Sequence, residues 1–485
     1  MRVTWRRVRV GAGLLVTGAL ALSGCDSAAP KAAAPSPGAS PTPSRTFTAG
    51  AAGVGDSYFP SYGNGGYDVA RYTVKVRYDP EQDTVTGTTT VQATATADLS
   101  TFNLDLAGLT VRTVTVDGNP ATHTREKNEL VIKPAVGLIA GNGFVAEIVY
   151  EGVPKPLKNE ALGEGGFLHT PDGAIALGQP ESASTWFPVN DHPSDKAAYD
   201  FEITVPDGLT AVSNGVPGGK ASKGGWTTWK WSEKSPMASY LSTVVIGRFR
   251  VTTATHRGRP VYSAVAIAAS GSADSSIAET VKVADYLETV FGPYPFDSYG
   301  GVVVTDNRIS YALETQSRPV YSAGFFRQGV NTGVVAHELA HQWFGDSVAL
   351  TRWEDIWLNE GFATYAEWLW DEHALGSTAK QTFDTRYGRA SAQVWKTPPG
   401  KPGAKELFSE SVYQRGAMTL HALRVAVGDK AFFEIVKTWA AEKRNSNATT
   451  AEFVALAERV CGKQLDALFD AWLYGTRKPA PPKRL

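Results

Sequence analysis

The chain has 485 residues, 42 % of them hydrophobic and 20 % charged, with a formal net charge of −1. That length predicts two to four domains with large cores, and near-neutrality with no basic tract beyond the first ten residues excludes a nucleic-acid-binding protein. Only two cysteines are present, Cys25 and Cys461, so stability must come from core size rather than from a disulfide framework.

Residues 1–25 read as a targeting segment to be set apart from the fold. Arg2, Arg6, Arg7 and Arg9 form a basic region, and Val10 to Leu22 is apolar but short for a membrane span. Leu22-Ser23-Gly24-Cys25 then resembles the bacterial lipobox, in which signal peptidase cuts before a cysteine that carries diacylglycerol. The expected outcome is export and a lipid anchor at Cys25 on the outer face of the bacterial cell membrane. The alternative is an ordinary secretory signal with an incidental cysteine. Arg6-Arg7 is compatible with a twin-arginine route as well as with general secretion. Residues 26–55, rich in Ala, Pro, Ser, Gly and Thr, read as a disordered tether.

Residues 56–250 read as an all-β domain, a large sandwich or saddle of antiparallel sheets. Tyr72 to Tyr78 alternates apolar and polar residues, the mark of a half-buried strand. Similar runs follow at 84–97, 102–106, 109–116, 130–133, 144–150, 199–205, 226–231 and 241–249. Asp117-Gly118, Asn142-Gly143, Asp207-Gly208 and Asn214-Gly215 mark turns. From 251 to 485 the signals mix, predicting an α+β domain. It has a helix over 275–291, strands over 301–305 and 309–314, then mostly helices to Tyr474. Cys461 falls in a helical pattern and is expected to be buried.

Within that second domain lies His337-Glu338-Leu339-Ala340-His341, in a stretch (332–345) of helical period. Residues four apart share a helix face, with Cβ atoms about 5–6 Å apart, so His337 and His341 can ligate one zinc ion. Glu338, one position on, points to the same cleft without coordinating, where a general base for a metal-bound water has to be. A catalytic zinc needs a third protein ligand. Glu360 supplies it from a second predicted helix (354–375), with eighteen residues between it and His341.

These motifs, together with Phe291-Gly292-Pro293-Tyr294-Pro295-Phe296, Trp343-Phe344-Gly345-Asp346 and Trp357-Leu358-Asn359-Glu360-Gly361-Phe362-Ala363, resemble the gluzincin aminopeptidases of the aminopeptidase N and leukotriene-hydrolase type. The likeness runs over most of residues 65–475. It implies a saddle-like β domain followed by a thermolysin-like zinc metallopeptidase domain. It also implies roles for further residues. Tyr311-Ala312-Leu313-Glu314-Thr315 is similar to the family's Gly-Ala-Met-Glu-Asn strand, so Glu314 would bind the substrate's free α-amino group, with Ala312 beside the peptide. Tyr311 and Thr315 depart from that pattern. Gln179-Pro180-Glu181 is similar to a family segment that helps hold the amino end, which ranks Gln179 ahead of Glu181. Tyr413-Gln414-Arg415-Gly416 resembles the family's Tyr-x-Lys/Arg-Gly element, whose phenol would donate to the oxyanion.

The expected function is zinc-dependent removal of N-terminal residues from peptides, by attack of a zinc-bound water with Glu338 as general base. Larger family members carry a further helical domain, and this chain ends at Leu485 without room for it. An open cleft makes a zinc endopeptidase one rival reading. A non-catalytic surface-binding lipoprotein is the other.

Overall fold

Tyr67–Asp79 alternates buried and exposed residues with one interruption. A bulge between Val69 and Arg71 shifts the register against Thr84–Ala95. The bulge explains why the alternation is legible in the sequence only from Tyr72. These two strands lie at the heart of an eight-stranded sheet, ordered 216–223, 226–237, 197–206, 67–79, 84–95, 143–152, 110–116 and 119–120. All its neighbours are antiparallel except 67–79 with 197–206. A five-stranded sheet (157–159, 163–170, 173–177, 244–247, 210–213) and a four-stranded sheet built on Leu99–Asp105 complete the β-rich half.

The computed structural model describes residues 45–159 and 163–484. The targeting segment, Cys25 and most of the expected tether therefore lie outside the described residues. Residues 46–55, expected in the tether, are structured. Thr48–Ala49 pairs in parallel with the strand Leu99–Asp105, and the Gly50 N–H donates to Thr101 O at 2.8 Å. Backbone pairing with little side-chain burial leaves no periodic trace in a sequence, which is why this strand was not expected.

The second half begins at Phe249, two residues before the expected boundary, because Phe249–His256 pairs with Arg259–Ala266 rather than with the β-rich half. Their sheet runs 249–256, 259–266, 299–304, 320–322, 312–313, so Ala312–Leu313 is an edge strand. It is shorter than the strand expected over 309–314. The helix expected over 275–291 is two helices, Gly271–Ala278 and Thr280–Phe291, meeting at Glu279. The histidine helix Thr332–His341 packs on the glutamate helix Trp357–Leu375. It ends four residues before Gly345. The chain then folds through a wide turn in which the Asp346 N–H donates to His341 O at 3.0 Å. Cys461 closes the helix Thr450–Cys461 and is half-buried, not buried.

The two halves share buried polar contacts. Arg318 is fully buried, donating to the carbonyls of Tyr262, Ser213 and Gly215. Asn214 Nδ2 donates to Gln316 O at 2.9 Å. These bonds fix the loop that leaves the edge strand just after Glu314.

Candidate active site

Asn331 caps the histidine helix, its side chain accepting from the Val334 N–H at 3.2 Å. One turn apart, His337 and His341 bring Nε2 to 3.3 Å and 3.4 Å from Glu360 Oε2. Glu360 stands in the first turn of the glutamate helix and is buried. A close approach of the backbone holds that helix. A Cβ on Gly361 would meet Gly416 Cα at 3.0 Å, and one on Gly416 would meet Gly361 Cα at 2.9 Å. The glycines of Asn359-Glu360-Gly361 and of Tyr413-Gln414-Arg415-Gly416 thus pack on one another. This contact brings the Glu360 and Tyr413 motifs together.

Whether these residues fit a zinc ion is decided by their protons. His341 Nδ1 lies 3.1 Å from Phe344 O, a carbonyl that can only accept, so Nδ1 carries the hydrogen. His337 Nδ1 lies 2.6 Å from Glu367 Oε1, which imposes the same tautomer. In both neutral rings Nε2 is then a lone pair aimed at a carboxylate oxygen. With the rings neutral, three electron-pair donors stand within 4.8 Å of one another, an arrangement that demands a cation between them. The charges agree. Burial opposes protonation of His337, but Glu360 and Glu367 outweigh it and hold the ring well above its usual pKa. Burial likewise opposes protonation of His341, yet Glu314 and Glu360 raise it to about 9. Burial raises Glu360, but the imidazoles bring it down to about 2. The trio therefore calls for positive charge, and two nitrogens with one carboxylate are a zinc donor set.

Glu338 projects from the next helix position and is buried, with Oε2 free of any partner among the described residues. Burial, assisted by Glu314 and Glu360 and opposed by both imidazoles, raises it to about 8. Glu314 follows the edge strand, and its carboxylate comes within 4.8 Å of the ligand-type atoms of Glu338 and His341. Tyr240, from the β-rich half, donates to Glu314 Oε1 at 2.9 Å. Gln342 Nε2 donates to Glu314 O at 3.0 Å, tying the edge strand to the end of the histidine helix.

One cleft of about 420 Å³ takes in His337, Glu338, His341, Glu360, Glu314, Ala312, Gln179 and Tyr413. The Tyr413 ring lies near-parallel to His337, with centroids 6.0 Å apart. It belongs to a turn of π-helix, Ser411–Arg415. Gln179 is buried and precedes a cis peptide to Pro180. Glu181 does not line the cleft. It meets Tyr62 and is raised to about 7 by burial and Asp191.

Sequence reasoning missed Glu367, Tyr240 and Gln342. Glu367 stands two helical turns beyond Glu360, a spacing that shares a face and is visible in the sequence once Glu360 is taken as a ligand. Nothing local marks Tyr240, which comes from the other half.

Two family models match the chain. The Peptidase M1 N-terminal domain matches residues 69–241, and the Peptidase family M1 domain matches residues 276–472. Aminopeptidase M1 of Arabidopsis thaliana is 25 % identical over 438 residues, covering 83 % of this chain and 49 % of that protein. Aminopeptidase N of Streptomyces lividans is 26 % identical over 408 residues, covering 76 % and 46 %. The chain thus spans about half the length of these curated relatives. The M1 zinc metallopeptidase of Deinococcus radiodurans superposes with a TM-score of 0.82 at 29 % identity, covering 89 % of this chain and 99 % of that one. A glutamate-to-alanine mutant of that enzyme, bound to a Tyr-Ser-Ala substrate, matches equally well.

Proposed function

The chain belongs to peptidase family M1, and from that membership we propose that it is a zinc-dependent aminopeptidase, removing residues from the free N-termini of peptides. The observation that carries this reading is the Glu314 carboxylate at the metal site's edge. A substrate ammonium pairs with it, whereas an internal peptide segment would leave it buried and unpaired. That favours an aminopeptidase over an endopeptidase.

His337, His341 and Glu360 would hold the zinc, which when bound would supply Lewis acidity toward the attacking water and the scissile carbonyl. Glu338 accepts the proton of the attacking water and delivers it to the nitrogen of the leaving amine as the C–N bond breaks, work worth ~10²–10⁴-fold. Glu367 fixes the tautomer and orientation of His337, and the Phe344 carbonyl does the same for His341. The Tyr413 hydroxyl donates to the carbonyl oxygen as charge develops on it. Glu314, oriented by Tyr240, takes the α-ammonium, and Gln179 adds a neutral hydrogen-bonding group in the same cleft. The relative crystallised with Tyr-Ser-Ala supports peptides as the substrate class.

The test of the metal is removal and return. Dialysis against a strong chelator is expected to abolish hydrolysis of an aminoacyl arylamide, and one equivalent of Zn²⁺ per chain to restore it. Activity unchanged in metal-free protein would contradict the reading.

The same proposal places the enzyme outside the cell, anchored through lipid on Cys25. Its support is the arginine-rich start, the short apolar run and Leu22-Ser23-Gly24-Cys25. No helix among the described residues is long and apolar enough to cross a membrane. Cys25→Ser is expected to move the protein from the membrane fraction to a soluble one, and an unchanged distribution would remove the anchor.

A further inference from the structure

The two ends of the cleft differ in what surrounds them. At the Glu314 end, Tyr240 and Gln342 are fully buried and fill the space behind the carboxylate. From there the lining follows the edge-strand segment backwards through Leu313, Ala312 and Tyr311 to Ser310. Ser310 also borders a second depression of about 460 Å³, whose walls include Ser270, Thr305, Asn307, Ser322 and Arg327. A peptide with its ammonium on Glu314 that follows this segment backwards is therefore directed toward that depression. At about 3.3 Å per residue, its third or fourth residue passes Ser310.

The charges along this path are arranged in order. The carboxylate lining the second depression is Asp306, and Arg308 already holds it, Nη2 to Oδ2 at 2.7 Å, which keeps its pKa below the usual range. Arg327 is exposed, and its guanidinium has no hydrogen-bond or ion-pair partner among the described residues. The uncompensated charge is thus negative at the Glu314 end and positive in the second depression, at Arg327. A short peptide with both termini free carries the opposite pattern.

We propose that this second depression reads the free α-carboxylate of tri- and tetrapeptides, with Arg327 as the recognising group and Ser310 and Asn307 as neutral hydrogen-bonding partners. The enzyme would then prefer short peptides with both ends free. This inference rests on the aminopeptidase reading and extends it from the amino end of the substrate to the carboxyl end.

The test compares kcat/KM for Ala-Ala-Ala with that for its C-terminal amide, on the wild type and on Arg327→Ala, Arg327→Lys and Arg327→Glu. Wild type is expected to favour the free acid by about three- to fivefold, the size of an exposed charge pair. The difference should appear in KM and shrink at high ionic strength. The ratio should fall to about one in Arg327→Ala, stay above one in Arg327→Lys and drop below one in Arg327→Glu. Because each ratio is taken on a single protein, a general loss of activity cancels. Equal cleavage of acid and amide by wild type, or a preference that survives Arg327→Ala, would overturn the proposal. An aminoacyl arylamide, which ends short of Ser310, reports separately on the aminopeptidase reading. If wild type fails to hydrolyse it, that reading fails and this one falls with it.

Discussion

Glu338 and the two histidines beside it show what a single residue's spacing can carry. His337 and His341, four apart, share a helix face, and Glu338 stands three positions from His341, so the grouping of these three residues was legible from the sequence alone. Glu367 was not, because its role exists only through a tertiary contact, 2.6 Å from His337 Nδ1. Gln179 and Glu181 show the limit of reading a loop. Two positions separate them, yet one lines the cleft and the other meets Tyr62. The prediction at this scale concerns Glu338. Glu338→Gln keeps the buried volume and leaves the three proposed ligand atoms in place but removes the proposed proton acceptor. It is expected to retain zinc, measured by metal content, and to lose at least ~10² in kcat. Near-normal kcat would remove Glu338 as the base.

Among the elements, long amphipathic strands and helices were legible because their periodicity reports a single buried face. Gly173–Leu177 was not, since all five residues are buried and no alternation exists to read. The split at Glu279 and the two-residue edge strand were hidden for a related reason: hydrophobic pattern fixes which face is buried, not where hydrogen bonding is interrupted. The π-helical turn carrying Tyr413 depends on a partner distant in sequence. Arg415 is fully buried and directs its five N–H donors to the carbonyls of Trp395, Thr397, Ala471, Trp472 and Gly475. The sequence marks the arginine, while the structure shows that it anchors the Tyr413 turn to the last helical segment of the chain.

For the whole molecule, the site is assembled across the junction of its halves. Tyr240 reaches Glu314 from the β-rich half, and Lys196 Nζ donates to the carbonyls of Asp346 and Ser347 at 2.7 and 2.8 Å. Near the N-terminal end of the described chain, Asp56 is buried and accepts from the N–H groups of Tyr58, Phe59 and Trp353, with His192 Nε2 3.3 Å away. Burial raises its pKa, but His192 and those N–H groups outweigh it and lower it to about 2. An unfolded aspartate titrates near ~3.9, so the folded state holds the carboxylate more tightly. The resulting stability, about 2 kcal/mol, is present above about pH 4 and lost as pH falls toward 2. Asp56→Asn is therefore expected to unfold more easily at pH 7, with the gap to wild type closing below pH 4; a pH-independent gap would contradict this assignment. The central claim, a zinc site that works on free N-termini because Glu314 sits at its edge, is tested most directly by one comparison. Cleavage of a short peptide is measured with its amino group free and after N-acetylation. The structure predicts hydrolysis of the first bond in the free peptide and at least ~10²-fold slower cleavage of the acetylated one, which leaves a buried carboxylate unpaired. Equal rates on the two would contradict it.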